Sequence, residues 1–460
     1  MTAGIDTTTD LRGRIDVDAL RREADAGRID TVLLCITDMQ GRLQGKRLSV
    51  RHFLDEVIDH AAEGCNYLLA VDVDMNTVDG YKMSSWSTGY GDFVFAPDMD
   101  TLCIAPWLPG TALVMADLQW EDGSPVVASP RQILRRQLDR LAERDLAAYA
   151  GSELEFIVFR DTYEQAWNKG YRDLEPANYY NVDYSMLGTA RIEPLLRRIR
   201  IAMEGMGMPV ESAKGECNPG QHEINFRYND ALTMADHHTV YKNAAKEIAA
   251  QEGYALTFMA KYNELEGNSC HLHFSLRGTD GDPVFAGDGH SMSPMFEHFV
   301  AGQLAGLREL TLWYAPNINS YKRFVEGSFA PTAVAWGFDN RTCALRVVGH
   351  GAGMRVENRV PGGDVNPYLA FAAMIASGLH GMDEELPLED ALKGNAYEAD
   401  KDHVPTTLRE AAEEFSGSTL ARSAFGDDVV DHYRNMADVE LAAFERAVTD
   451  WERYRGFERL

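Results

Sequence analysis

Basic residues are scarce in this 460-residue chain. Lysine and arginine number 44 against 71 aspartates and glutamates, which gives a formal charge of −27. Proteins that bind phosphate backbones without sequence preference use a basic surface to displace counterions, so nucleic acid is not an expected partner. Anionic membrane surfaces are disfavoured for the same reason. The expected ligands are therefore small molecules or cations.

Long hydrophobic runs are also missing. No stretch approaches the roughly 18 apolar residues of a membrane-spanning helix, and residues 1–16 lack the basic and apolar regions of a signal peptide. The six cysteines are scattered without a CxxC pair or zinc-type spacing, which is typical of free thiols in a reducing compartment. These features predict a cytoplasmic protein.

The remaining composition is that of an ordinary globular protein, with 45% hydrophobic and 25% charged residues. Residues 31–50 predict a β-hairpin with its turn at 39–41, and residues 51–62 predict a short helix packed on it. The stretch at 105–111, which contains proline and glycine, is predicted to be a boundary between domains. We therefore expect a small N-terminal domain over 1–110 and a larger domain over 111–460.

Helices and short strands alternate through the larger part of the chain. Ser129, Pro130 and Gln132 predict a helix start with a capping box, because Ser suits the N-cap, Pro the first helical position and Gln the third. Short alternating segments between helices predict an α+β enzyme. Further long helices are predicted near 190–205, 230–252 and 366–382.

One strand pattern places two carboxylates on the same face. Successive side chains of a strand point to opposite faces, so Glu153 and Glu155 share one face while Leu154 and Phe156 share the other. Alone, this pattern is typical of a half-exposed antiparallel strand and says little about function.

The same alternation recurs in three other segments. His271, His273 and Ser275 share a strand face in the first, and Arg355, Glu357 and Arg359 share one in the second. In the third, Glu216 and Glu223 flank a Cys-Asn-Pro-Gly turn. If these strands belong to one sheet, five carboxylates, two imidazoles and several guanidiniums face one surface.

Such a concentration of carboxylates requires counter-charge, since neighbouring carboxylates raise one another's pKa. Oxygen ligands with an occasional imidazole favour Mg²⁺ or Mn²⁺. Arginines on the same face indicate phosphate or carboxylate groups of a ligand. Together these residue types predict metal-assisted phosphoryl transfer.

Two motifs and one histidine pair are given no catalytic role. Residues 41–47 resemble a P-loop but are one residue short and lack Ser or Thr after the lysine, so they are interpreted as part of the hairpin. Residues 349–354 lack the GxGxxG spacing and are interpreted as a strand connection. His237 and His238 are interpreted as surface or packing residues.

The segments that carry these residues resemble the glutamine synthetase family. The shared motifs occur in the family's order across nearly the whole chain: the ExE strand, GQHE, TFMAKY, GNSCHLHFSL, NSYKR, DNR and RVENRVPGGDVNPYLA. The resemblance implies a β-grasp-like N-terminal domain and a catalytic domain with a curved antiparallel sheet. It also implies a homo-oligomer, expected as a dodecamer of two hexameric rings whose sites are completed by neighbouring N-terminal domains.

The resemblance assigns roles by position. Two metal sites, within a complement of two or three Mg²⁺ or Mn²⁺ ions, are expected at Glu155, Glu216 and Glu223 and at Glu153, His271 and Glu357. ATP is expected at Glu211, His273, Ser275, Arg346 and Arg355. Glutamate is expected at Gly267, Arg323, Arg341 and Arg359. Direct roles in catalysis are expected for Arg341, which would stabilise the phosphoryl transition state, for Glu357, and for Phe329 as the flap position beside the amine.

Two departures from the family concern the amine. The loop at 68–86 lacks the family's ammonium-binding motif, although Asp72 and Asp74 there could attract an alkylammonium ion. Phe329 stands in GSFAP where the family has a flap glutamate in GYEAP. An aromatic ring cannot accept a proton, but it can line a pocket for an amine that carries carbon. Tyr397 matches the family's adenylylated tyrosine poorly and is interpreted as a surface residue.

The expected function is ATP-dependent ligation of the γ-carboxyl of glutamate to a small primary amine through a γ-glutamyl phosphate. Within the family, the chain resembles the actinobacterial γ-glutamylethanolamide synthetases, which makes ethanolamine the expected amine. A polyamine such as putrescine, another alkyl or aryl amine, and ammonium are the alternatives within the class. A catalytically silent assembly protein on the same fold is the alternative outside it, and the intact metal ligands speak against it.

Overall fold

The computed structural model of this chain describes residues 11–289 and 291–460. Most of the N-terminal segment that is predicted to lack a signal peptide lies outside the described residues. Two sheets, of six and nine strands, organise the described part of the chain.

The first sheet is built from the N-terminal part of the chain. Its strands are β1 (Thr31–Thr37), β2 (Leu43–Ser49), β3 (Ala62–Cys65), β4 (Asp92–Pro97), β5 (Cys103–Ile104) and β6 (Thr111–Gln119). The order is β2-β1-β6-β4-β3, with β5 also paired to β6. β1 and β2 pair antiparallel, which confirms the predicted hairpin. β6 begins at residue 111 yet belongs to this sheet, and the domain division at 110 stays a prediction.

The second sheet carries the candidate site. Its strands are β7 (Leu146–Phe159), β8 (Val210–Gly215), β9 (Gln221–Phe226), β10 (Asn229–Asp230), β11 (Ala255–Thr257), β12 (Cys270–Gly278), β13 (Trp336–Phe338), β14 (Leu345–Val348) and β15 (Arg355–Asn358). The order is β13-β14-β15-β12-β7-β9-β8, with β10 and β11 also paired to β7. The sheet is curled, and its described pairs are antiparallel except β13 with β14, which confirms the expected α+β fold.

Fifteen α-helical segments lie within the described residues. They are α1 (Val17–Asp25), α2 (Val50–His52), α3 (Ile58–His60), α4 (Pro130–Ala142), α5 (Tyr163–Asn168), α6 (Met186–Thr189), α7 (Glu193–Met206), α8 (Ala231–Gln251), α9 (Pro294–Gly306), α10 (Thr311–Tyr314), α11 (Pro367–Asp383), α12 (Leu408–Gly417), α13 (Thr419–Phe425), α14 (Asp427–Arg446) and α15 (Asp450–Gly456). A π-helical stretch, Phe53–Val57, joins α2 to α3. None of the helices in these residues combines the length and apolarity that a bilayer crossing requires.

The predicted helices form close to the predicted positions, with one error at a cap. The predictions near 190–205, 230–252 and 366–382 correspond to α7, α8 and α11. α4 begins at Pro130 with Ser129 at the N-cap, but the Ser129 side chain makes no capping hydrogen bond. The predicted capping box is therefore wrong. Pro130 has no backbone N–H that needs a hydrogen-bond partner, and its fixed φ favours the first turn of the helix.

Helices cover one face of the second sheet and leave the other open. α11 is buried around nearly its whole circumference, as expected of a central helix. A Cβ added at Gly378 would lie 2.0 Å from the Phe299 ring, so α11 and α9 approach closely only because this position is glycine. On β7, Leu154 and Phe156 are buried among the core residues. The opposite face of β7, which carries Glu153 and Glu155, faces away from this core.

Candidate metal and nucleotide site

Strand register brings the predicted ligands together on the open face of the second sheet. Glu153 on β7 lies opposite His271 on β12, and Glu155 on β7 lies opposite Glu223 on β9. Residues directly opposite each other in an antiparallel pair point to the same face. Glu357 on β15 joins this face from the far side of β12, where it lies opposite His273.

The first group, called here the three-carboxylate cluster, consists of Glu155, Glu216 and Glu223. One oxygen from each lies within 4.8 Å of the others, and all three side chains are buried. Burial, with the charge of Glu216, raises the pKa of Glu155 to about 8. Burial, with the charge of Glu155, also raises the pKa of Glu223 well above its ordinary value. The three carboxylates therefore resist carrying full charge together.

Two hydrogen bonds fix one of these carboxylates. The backbone N–H of Ser269 donates to Oε2 of Glu155 at 2.7 Å, and Nε2 of Gln221 donates to the same oxygen at 3.1 Å. Gln221 also donates to the carbonyl of Gly267 at 2.8 Å, which ties the loop before β12 to the cluster.

The second group, called here the histidine cluster, consists of Glu153, His271 and Glu357, whose ligand atoms also lie within 4.8 Å of one another. Burial lowers the pKa of His271 to about 4, so its imidazole is neutral at pH 7. Burial would raise the pKa of Glu357, but the facing His271 ring and then the Arg359 guanidinium hold that pKa at about 2. Arg346 Nη1 donates to Glu357 Oε2 at 2.8 Å, and Arg359 donates to Oε1.

Both clusters fit divalent cations chemically. Carboxylate oxygens with one neutral imidazole are ligands that Mg²⁺ and Mn²⁺ accept. Nδ1 of His271 lies 3.5 Å from Glu153 Oε2 and 3.7 Å from Glu357 Oε1, so this ring nitrogen faces the two carboxylates with which it would share a metal ion. The clustered carboxylates likewise need a counter-charge that the protein supplies only in part.

A cavity beside Glu153 contains most of the predicted ATP residues. Glu211, His273, Ser275 and Arg355 line it together with Tyr149. Arg355 Nε donates to His273 Nδ1 at 3.1 Å. The remaining ring proton is therefore on Nε2, which donates to Glu153 Oε1 at 2.9 Å. A chain of hydrogen bonds thus links the histidine cluster to this cavity.

Three of the four predicted glutamate-binding residues lie in an adjoining cavity with both clusters. Gly267, Arg341 and Arg359 line it with Phe329. A Cβ at Gly267 would lie 2.3 Å from the carbonyl oxygen of Ala260, so only glycine fits there. Phe329 is 55% exposed and has φ +56°, a left-handed conformation that is costly for an aromatic residue. Its ring position is therefore set by the surrounding loop.

Two predicted site residues lie elsewhere than expected. Arg346 lines the cavity with the clusters rather than the one with the other predicted ATP residues. Arg323 is buried and lines neither cavity. Its guanidinium donates to the carbonyl oxygens of Val360 and Pro361. Arg323 therefore holds the loop after β15 in place from behind the cavity wall.

One further expectation changes with the structure, and the amine role of Asp72 stays a prediction. Asp72 accepts hydrogen bonds from Asn76 and lines a separate small cavity rather than the one that contains both clusters of its own chain. Tyr397 is not an ordinary surface residue, because its hydroxyl is buried. Burial raises the pKa of Tyr397, while Arg359 and Arg323 oppose that rise from nearby.

Sequence reasoning missed Lys214, whose Nζ contacts Glu216 Oε1. Burial opposes its charge, but Glu223 and Glu216 hold the pKa of Lys214 above its ordinary range. Lys214 lies two residues before Glu216, so the alternation rule applied to the other strands could have found it.

Comparisons with known proteins identify the family. The family model of the glutamine synthetase catalytic domain matches residues 127–455. The γ-glutamylethanolamide synthetase of Streptomyces coelicolor is 67% identical over 446 residues, which cover 97% of this chain and 96% of that protein. The glutamate–isopropylamine ligase of a Pseudomonas species is 37% identical over 431 residues, 92% of this chain and 94% of that protein.

A solved structure, that of a GmaS/ADP complex, superposes with a TM-score of 0.84 at 28% identity and covers 96% of this chain and 99% of that chain. The chain thus shares its overall fold, with the curled sheet, with that structure. The chain belongs to the glutamine synthetase family. Enzymes of this family use ATP and divalent metal ions.

Proposed function

We propose that this protein is an ATP-dependent ligase that joins the γ-carboxyl of L-glutamate to a small primary amine, with ethanolamine as its substrate. A γ-carboxylate oxygen attacks the γ-phosphorus of ATP, the bond to the β,γ-bridging oxygen breaks, and ADP leaves. The amine nitrogen then attacks the γ-carbonyl carbon of the γ-glutamyl phosphate, the bond to the phosphate oxygen breaks, and phosphate leaves. The proton lost by the amine passes to phosphate or water.

The observation that carries this proposal is the shared wall of the two cavities. Glu153 lines both the cavity with Glu211 and Ser275 and the cavity with Arg341 and Arg359. A nucleotide in the first therefore presents its phosphates to a carboxylic acid in the second across the histidine cluster. The printed name of the S. coelicolor relative supports the same reaction class.

In this proposal, two divalent cations are held by the three-carboxylate cluster and the histidine cluster. When bound, such cations withdraw charge from phosphate oxygens. Arg341 and Arg359 hold the carboxylates of glutamate, and Arg341 is exposed enough to reach the transferring phosphoryl group. Glu357 keeps Arg346 and Arg359 oriented through its two hydrogen-bonded oxygens. Arg323 acts only through the loop that it supports.

The amine assignment rests on Phe329. The ring lines the cavity that contains both clusters, where it offers apolar contact to a carbon-bearing amine and no negative charge to ammonium. Relatives named for ethanolamine and for isopropylamine support an amine that carries carbon. Putrescine remains an alternative because Asp183 and Glu266 line the same cavity and offer anionic partners to a second ammonium group.

The proposal also includes a homo-oligomer in the cytoplasm, expected as a dodecamer. Asp72 lines a cavity separate from the one that contains both clusters of its own chain, as expected if a neighbouring subunit's loop completes the amine pocket. Analytical ultracentrifugation distinguishes a dodecamer from smaller assemblies.

Isotope transfer tests the proposed reaction. Glutamate labelled with ¹⁸O in its γ-carboxyl is incubated with ATP, Mg²⁺ and ethanolamine, and the released phosphate and the amide are analysed by mass spectrometry. Transfer of one ¹⁸O to phosphate, dependent on the amine, is expected. Phosphate release without label, or no release with any amine, contradicts the proposal and favours a catalytically silent protein.

A further inference from the structure

Lys214 places an ammonium group inside the three-carboxylate cluster. It lies on β8 directly opposite Glu223 on β9, so its side chain points to the open face of the sheet. Its Nζ contacts Oε1 of Glu216. The side chain is only 22% exposed and lines the cavity that contains both clusters. A fixed positive charge thus lies beside a carboxylate assigned to a metal.

A second anchor lies on the other side of the same ammonium group. Oδ1 of Asp183 lies 3.6 Å from Nζ of Lys214, and the centroid of the Tyr184 ring lies 4.7 Å from it. Both are within the range of favourable charge–charge and cation–π contact. Lys214 can therefore leave Glu216 while keeping an acidic and an aromatic partner.

We propose that Lys214 is a tethered cation that competes with a divalent metal ion for Glu216 and so weakens metal binding at the three-carboxylate cluster. This inference rests on the proposed metal role of that cluster. A divalent ion must either share Glu216 with the ammonium group or move it toward Asp183 and Tyr184. Either event costs electrostatic free energy in a site where charges are poorly screened.

The consequence is a cluster whose negative charge is balanced in two ways. The ammonium group stabilises the buried carboxylates when divalent ions are scarce, and the metal replaces it when they are abundant. Lys214 would then tune how much Mg²⁺ or Mn²⁺ the protein needs to fill this position.

Direct metal binding tests the inference without using activity. Mn²⁺ binding is measured by electron paramagnetic resonance titration of the full-length protein, first freed of metal with EDTA. The neutral variants are Lys214→Met and Lys214→Gln, and the charge-retaining variant is Lys214→Arg. Lys401→Met is the matched control, because it removes a lysine–glutamate ion pair, Lys401 to Glu389 at 2.6 Å, away from the clusters. Glu223→Gln identifies the binding step that belongs to the cluster.

Both neutral variants are expected to bind Mn²⁺ at that step at least about fivefold more tightly than the wild type. Lys214→Arg and Lys401→Met are expected to remain within about twofold of it. Should Lys214→Met not fold, Lys214→Gln, which retains a polar group of similar length, is held to the same expectation. Unchanged or weaker binding in the folded neutral variants overturns the role of Lys214 alone. Wild-type binding that does not depend on Glu223 overturns this inference together with the metal role of the cluster.

Discussion

Glu155 and Glu223 lie directly opposite each other on neighbouring antiparallel strands, and both carboxylates are buried. Like charges in this arrangement destabilise a sheet. Lys214 offsets part of the charge from one side, but burial and mutual repulsion still raise the pKa of both glutamates. The two carboxylates therefore destabilise the folded protein. Their position is explained by a bound ligand that requires both of them.

Glu223→Gln removes one charge of this pair and keeps the side-chain shape. In EDTA, the variant is expected to melt about 1–2 °C above the wild type, which corresponds to about 1 kcal/mol in a chain of several hundred residues. The stabilisation by Mg²⁺ is expected to shrink in the same variant. Glu413→Gln, an exposed change on α12, is the control. A lower melting temperature in EDTA would show that the pair is not under repulsion.

Metal-dependent stability is expected to increase with pH. Glu155 loses its proton at about pH 8 in the folded protein, against an ordinary pKa of 4.5. Between these pH values the folded chain binds more protons than the unfolded chain, so its stability in EDTA falls as pH rises. A divalent ion requires the deprotonated ligand and reverses this loss. The difference in melting temperature between Mg²⁺ and EDTA, measured from about pH 5.5 to 8.5, is expected to grow, and a constant difference contradicts the account.

Glu357→Gln is expected to lower turnover at least about 100-fold, because it weakens a metal ligand and the charge that orients two arginines. The fold and the oligomer should persist, since the side-chain shape is kept and the amide oxygen can still accept from one of the two arginines. Phosphate release and size-exclusion chromatography measure the two properties, with Glu413→Gln again as the control. A variant with near-normal turnover would show that Glu357 has no direct role in catalysis.

Phe329→Glu is expected to shift amine preference toward ammonium. The new carboxylate attracts a small cation, and the apolar contact with carbon is lost. The ratio of kcat/KM for ethanolamine to that for ammonium should fall about tenfold or more, in the range that one apolar contact supplies. Phe444→Glu, a similarly exposed phenylalanine on α14, serves as the matched control. An unchanged ratio would rule out Phe329 as a determinant of amine choice.

Much of the candidate site follows from strand alternation in the sequence. The alternation rule places Glu153 with Glu155 and His271 with His273, because side-chain direction in a strand depends only on position. The rule cannot say which strands are neighbours, so the approach of Glu155 to Glu223 depended on the family resemblance. The same applies to the curled sheet, whose order skips between distant segments.

The contacts that the sequence did not predict join residues that are far apart in the chain. Arg323 is the last residue of the NSYKR motif, but its guanidinium donates to the carbonyls of Val360 and Pro361, which lie in a loop far along the chain. The Tyr397 hydroxyl is buried, and Arg359 and Arg323 lie near enough to affect its pKa. Lys214 was visible to the alternation rule, yet its contact with Glu216 depends on how β8 turns into the loop before β9. Sequence patterns predict which way the side chains of a strand point, whereas tertiary packing determines which residues those side chains contact.

Amine specificity is the most direct test of the central claim that this site ligates glutamate to a carbon-bearing amine. Phosphate release is measured with ATP, Mg²⁺ and glutamate against ammonium, ethanolamine, putrescine, spermidine and isopropylamine, and kcat/KM is compared among them. Ethanolamine is predicted to give the highest value. A highest value with ammonium would contradict the account and the role it gives to Phe329.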